Sequence, residues 1–158
     1  MYKRQPLYHL LEAIDRARAL SEACRVLRSG GLLVAAGISR YLSLLEAGST
    51  GQLDAALESS LVDVLATGHY DGHLGFVEAH FHTAEELRTE LRAAGLADVA
   101  VFGIEGPSWP ALDAAGLNGF DARVDAALRC ARTVETDPAM IDTSAHLLGM
   151  GKKLLDRS

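Results

Sequence analysis

Tyr8 and His9 put two hydrogen-bonding rings side by side, just ahead of an amphipathic stretch. The surrounding PLYHL, residues 6–10, reads as the loop that ends a buried strand, although no strand precedes it. Four further histidines gather mid-chain. His69 and His73 are four apart, and His80 and His82 are two apart, which puts the second pair on one face of a strand. Asp71 and Glu78 lie close in sequence, and imidazole with carboxylate is a metal-ligand set. A metal-dependent enzyme using His80 and His82 is therefore one reading. Against it, His69 and His73 fall in the glycine-rich GHYDGHLGF, where helical i, i+4 geometry does not apply, and no H-E-x-x-H occurs. The other reading is loop and pocket histidines, with His82 nearest the pocket. Arg40 follows a short apolar strand whose C-terminal end faces the ligand crevice of an open α/β sheet. It is placed to meet an anionic substrate or a neighbouring acid. Trp109, the only tryptophan, covers an apolar ligand or plugs the core. His146 reads as structural.

The elements that must position these groups follow from periodicity and breakers. Asp15 is expected to cap a helix running to about Arg28, ended by Gly30-Gly31. LLVAAG, residues 32–37, is short and uniformly apolar, as in a strand buried on both faces of a parallel sheet. Residues 41–67 read as two helices split around residues 48–51, the second with Leu53, Leu57, Leu61, Val64 and Leu65 as its apolar stripe. Thr83 and Glu86 form a capping box for a helix that carries Leu87 and Leu91 and stops at Gly95. Residues 97–104 alternate as a strand, with Val99, Val101 and Gly103 on one face. Residues 105–120 read as a Gly/Pro-rich lid with a short helix. A helix over 121–134, a short one begun by Asp137-Pro138, and a final strand HLLGMGKK complete the chain. Alternating helices and strands mean α/β architecture. Three strands are few for so many helices, which suggests that part of a larger sheet is missing.

Composition excludes several classes. At 158 residues the chain is long enough to bury a core, and 49% hydrophobic residues with 23% charged is globular composition. A net charge of −6, with arginines scattered near acids, argues against a nucleic-acid partner. No apolar run approaches the ~20 residues that span a bilayer, so no membrane partner is expected. Cys24 and Cys130 are far apart and in no CxxC pattern, so reduced thiols and a cytoplasmic location are expected.

PLYHL, then DRARALSEACRVLRSGGLLVAAGISRY, resembles the second half of class I S-adenosylmethionine-dependent methyltransferases. There, a strand ends in an LGPLYHL-type loop, and a helix of the type DR-x-x-AL-x-EA-x-RVLRPGG leads into the next strand. Ser29 stands where the family usually has Pro. FHTAEELRTELRAAGL is similar to the penultimate helix, ADVAVFGIEGPSW to the next strand and loop, and ETDPAMIDTSAHLLGMGKK to the last helix and strand. The resemblance covers residues 6 to about 154. The RVLRSGG turn alone is moderately specific; the segments in this order are much more so.

The resemblance implies a partial Rossmann-like sheet. The family's strand order is 3-2-1-4-5-7-6 with the seventh antiparallel, and this chain would supply the fifth to seventh. It implies S-adenosylmethionine as cofactor and a small-molecule methyl acceptor. Pro6 and Leu7 would line the cofactor, Tyr8 and His9 would orient the acceptor or, for His9, take its proton, and Arg40, His82 and Trp109 would meet the acceptor. No metal is required. The glycine-rich strand–loop–helix and the ribose-binding acid of such folds are not found in the sequence; Gly149-Met-Gly151 is followed by Lys152-Lys153 and not by a helix. The codons GTG TAT AAG AGA CAG, read from a GTG start, encode Met-Tyr-Lys-Arg-Gln and resemble a transposon end used in sequencing-library preparation. Residues 1–5 are thus expected to be a non-native scar on residues 6–158, the C-terminal part of a methyltransferase domain, itself inactive. A non-catalytic α/β interaction module is the alternative, and the unpaired edge of the LLVAAG strand is expected to drive self-association.

Overall fold

The computed structural model describes residues 7–72, 77–114 and 120–155. The scar expected at residues 1–5, together with Pro6 and His73, lies outside them. The fold is α/β: a five-stranded mixed sheet with helices packed around it. The sheet order is β2 (His69–Tyr70), β3 (Ala79–His82), β1 (Leu32–Ser39), β5 (His146–Lys153), β4 (Leu96–Gly103). β5 runs antiparallel to both β1 and β4, and β1 is parallel to β3. The two short strands are additions to the three expected from sequence. β3 is the strand on which His80 and His82 share a face, while β2, only two residues long, is too short for a period to show.

α1 (Ala13–Val26) starts three residues earlier than expected: Glu12 is its N-cap, and Asp15 sits in the first turn. There its carboxylate meets the positive end of the helix dipole without capping it. α2 (Leu42–Thr50) ends at Gly51 in the left-handed conformation. α3 (Ala55–Thr67) is capped by Asp54, whose Oδ1 accepts from the amides of Ala56 and Leu57, so Leu53 lies outside the helix and is exposed. Leu61 and Val64 of the expected stripe are buried. α4 (Ala84–Ala93) has the full Thr83–Glu86 capping box, and Leu87 and Leu91 are wholly buried. α5 (Trp109–Ala114) and α6 (Phe120–Val134) follow β4. Asp137 does not start an α-helix. Its Oδ1 accepts from the amide of Ala139 in a turn that leads to a 3₁₀ turn, Ile141–Thr143.

One face of the sheet carries the main core. Leu33, Val101 and Leu147 meet Leu87 and Leu91 of α4 and Leu20 of α1. The expectation that β1 is buried on both faces does not hold over its first half, where Leu32 and Val34 are about half exposed. β3 pairs with β1 only at Ile38 and Ser39, and no pairing beside residues 32–37 on that side occurs among the described residues.

The G-x-G of the last strand has a packing role. A Cβ on Gly149 would stand 2.5 Å from Leu91 Cδ1, and one on Gly151 would stand 2.9 Å from Leu96 Cβ. Both glycines lie on the core face of β5, so their missing side chains let α4 and the start of β4 approach the strand. Gly149→Ala is expected to cost about 1–3 kcal/mol of unfolding free energy through overpacking, read from the urea midpoint at unchanged slope. Gly48→Ala, in a helix with nothing near the added methyl, serves as the control and is expected to leave the midpoint level or raise it.

Candidate functional site

The parallel strands β1, β3 and β4 end on one side of the sheet, where β5 begins. That end of an open α/β sheet is where ligand crevices form, and two cavities meet there. The inner one, about 300 Å³, is lined by Tyr8, Ile38, Ser43, Tyr70 and Phe81. The outer one, about 690 Å³, is lined mainly by Ile104, Glu105, Trp109, Leu112, Asp113 and Leu128. Leu42, Glu46 and His146 line both, so the two adjoin at these residues.

Local chemistry builds the walls. The 3₁₀ turn Leu7–His9 lies against β1 and β3, which brings Tyr8 to the inner cavity. His9 packs its ring on that of Tyr8 at 4.6 Å. Tyr70 and Phe81 stack at 4.7 Å and close the far side. Trp109 Nε1 donates to the carbonyl of Thr143 at 3.0 Å, which fixes the indole against the cleft. His146 is held at two points by one carboxylate: its amide donates to Glu105 Oε2 at 2.9 Å, and Nδ1 lies 2.6 Å from Oε1. The hydrogen bond His146 donates to Glu105 raises its pKa above the ordinary value, against a smaller effect of burial. Burial pushes Glu105 upward, but the bonds from His146 outweigh it and hold the carboxyl below its usual range.

The residues singled out from sequence divide into two groups. Tyr8 and Trp109 line the cleft, and His9 stands beside Tyr8. Leu7 is buried in the main core. Arg40 and His82 lie in a separate polar network under α4. Arg40 donates to Glu86 at 2.5 Å and to the carbonyl of Phe81 at 3.4 Å. His82 is wholly buried, with Nε2 3.2 Å from Glu90 Oε2, while Arg16 donates to Glu90 Oε1 at 2.8 Å. His80 and His82 do share one face of β3, with rings 4.5 Å apart edge to face. Glu86 and Glu90 beside them already accept from Arg40 and Arg16, and no group of three potential ligands among the described residues is placed to hold a metal ion.

Sequence reasoning missed Ser43, Glu46 and Glu105 and took His146 as structural. Glu105 and His146 are 41 residues apart, so no spacing flags them. The available signal was that an acid just past β4 must lie near the first residue of an antiparallel neighbour.

No family model matches the chain, and no curated protein matches it. Nor do its own residues fit S-adenosylmethionine by themselves. Leu7 is committed to the core, and among the described residues the lining of the inner cavity beside Tyr8 includes no glycine backbone to cradle the cofactor's amino-acid part.

Two titrations follow. His80 is pushed down to about 4, first by burial and then by the charges of His82 and Arg16. Its folded value lies below the unfolded value near 6.5, so neutral His80 stabilises the protein above pH 6.5, and that contribution is lost as pH falls from 6.5 to about 4. The loss is up to about 3 kcal/mol. His80→Phe is expected to flatten acid destabilisation in this window relative to wild type, measured by urea unfolding at each pH. For His146 the sign reverses: its raised value gives stability below the ordinary imidazole range that fades as pH rises through the folded value. Glu105→Gln is expected to return the His146 NMR titration toward about 6.5; an unmoved midpoint would show that the pair does not form in solution.

Proposed function

We propose that this chain is the acceptor-side part of a class I methyltransferase domain, and that the intact parent transfers a methyl group from S-adenosylmethionine to a small molecule. The observation that carries the reading is the sheet. β1, β5 and β4 lie side by side with β5 antiparallel to both neighbours. The resemblance calls for that order and direction in the fifth, seventh and sixth strands. The cleft at the strand ends supports it too, since it opens beside Tyr8 and Trp109.

In this reading Tyr8, with His9 beside it, orients the acceptor, and Trp109 provides an apolar wall. Methyl transfer from a sulfonium is an in-line displacement, in which alignment supplies much of the rate. Arg40 and His82 act at a distance, by holding the strand ends that frame the cleft. The cofactor is to be held by a segment that pairs with residues 32–37 of β1.

Genomic DNA upstream of codon 6 provides the test. It is expected to encode a glycine-rich strand–loop–helix, and the extended chain is expected to bind S-adenosylmethionine in calorimetry where the present chain shows no micromolar binding. A stop codon and promoter directly upstream of Met1, or micromolar binding by the present chain alone, would count against the proposal. The open stretch of β1 also favours self-association. Light scattering is expected to show oligomers that Val34→Lys disperses, and a monomeric wild type would refute this part.

A further inference from the structure

Ser43 is the oddest group in the cleft. It is 1% exposed, lines the inner cavity, and its Oγ has no hydrogen-bond partner among the described residues. A buried hydroxyl left unpaired costs about 1–3 kcal/mol, and native proteins rarely leave one so without a reason. Glu46, which lines both cavities, is half-buried, and no hydrogen bond to its carboxylate is found among the described residues. His146 presents a third polar group. With Nδ1 committed to Glu105, the proton of the neutral ring sits on Nδ1 and leaves Nε2 as an acceptor.

The rest of the lining selects by exclusion. Among the described residues, no Lys or Arg lines either cavity. The Glu105–His146 pair is at most neutral, so Glu46 and Asp113 leave the cleft net negative. A carboxylate or phosphate entering it would lose its hydration and meet like charge. Trp109, Leu42, Ile104, Leu112 and Leu128 supply apolar surface, and an apolar chamber with a few convergent polar groups is the usual form of a small-molecule site.

We propose that the adjoining cavities bind a neutral, mostly apolar small molecule that carries a hydroxyl group, with the hydroxyl in the inner cavity and its apolar body toward Trp109. Ser43 supplies the missing partner for that hydroxyl, and Nε2 of His146 or the Glu46 carboxylate accepts its proton in a hydrogen bond. The identity of this molecule as the methyl acceptor rests on the methyl-transfer reading; the binding itself does not.

The probe is 2-naphthol, titrated into the isotopically labelled full chain at about pH 8 and, because Glu105 raises the His146 pKa, again at about pH 9. Shifts are expected at the amides of Leu42, Ser43, Ala145 and His146 and at the Trp109 indole. Two matched probes define the class. 2-Methoxynaphthalene, which lacks the donor, is expected to bind about tenfold more weakly, as is naphthalene-2-carboxylate. Ser43→Ala is expected to weaken naphthol and its methyl ether alike by several-fold, and Glu46→Gln to strengthen carboxylate binding several-fold; melting no lower than wild type shows that the fold of each variant is intact. The proposal is overturned by shifts that map outside the cleft or by no binding up to the solubility limit. Equal affinity for all three probes, or naphthol binding unchanged by Ser43→Ala, also overturns it. No cofactor is present, so such failures leave the methyl-transfer reading to the extended chain. If naphthol binds here while the extended chain ignores S-adenosylmethionine, only the acceptor assignment falls.

Discussion

Burial of one guanidinium organises much of this protein. Arg16 is 4% exposed and donates in three directions, to Glu90 Oε1 on α4 and to the carbonyls of Leu10 and Leu11. A charge taken out of water is tolerated only when its donors are satisfied, so these contacts are obligatory together. They tie the N-terminal segment to α4. The same carboxylate faces His82, and Glu86 one turn earlier takes Arg40, so α1, α4, β1 and β3 share one network. Tyr8 reaches the cleft because the residues just after it are held by Arg16.

The second constraint is distance between helix and sheet. α4 carries both the acids of that network and the two leucines of the core. It can serve both only if it lies close to β5, and the glycines of β5 provide the room. Asp142 fixes the N-terminal end of α4, accepting from the amide of Ala84 at 2.7 Å, even though burial raises its own pKa. Ser39 is wholly buried and donates to the carbonyl of Asp142 at 2.7 Å. The strand end that opens into the cleft and the helix that supports it are therefore referenced to the same turn.

Much of this could be read in the sequence where the signal is local. The capping box at Thr83, the break between two helices near residues 48–51 and the strand that carries Val101 and Gly103 on one face all rest on residues within a few positions of one another, and the structure has them, although a register shift between Ala97 and Ala100 interrupts the alternation of β4. The misreadings have physical reasons. Uniformly apolar β1 does not disclose which face is covered, because coverage depends on helices elsewhere in the chain. Arg40 and His82 carry the residue types of a substrate site, and chemistry alone cannot separate a group facing a ligand from one facing Glu86 or Glu90. The cleft itself is lined by residues as far apart in the chain as 43, 105 and 146, a separation at which a single sequence carries no periodic signal.

The histidines show how environment assigns different roles to one residue type. His80 sits among apolar surface and cationic neighbours, so it stays neutral well below the ordinary imidazole range. His146 sits at the cleft with a carboxylate on Nδ1, so its proton is held more firmly and its ring is turned by a fixed partner. A ring kept neutral in the core contributes shape and no charge. A ring whose one nitrogen is committed to a carboxylate, while it lines a cavity, keeps the other nitrogen for whatever enters. The closely spaced pair is the one visible in the sequence, but the long-range pair with Glu105 has the geometry that chemistry would use.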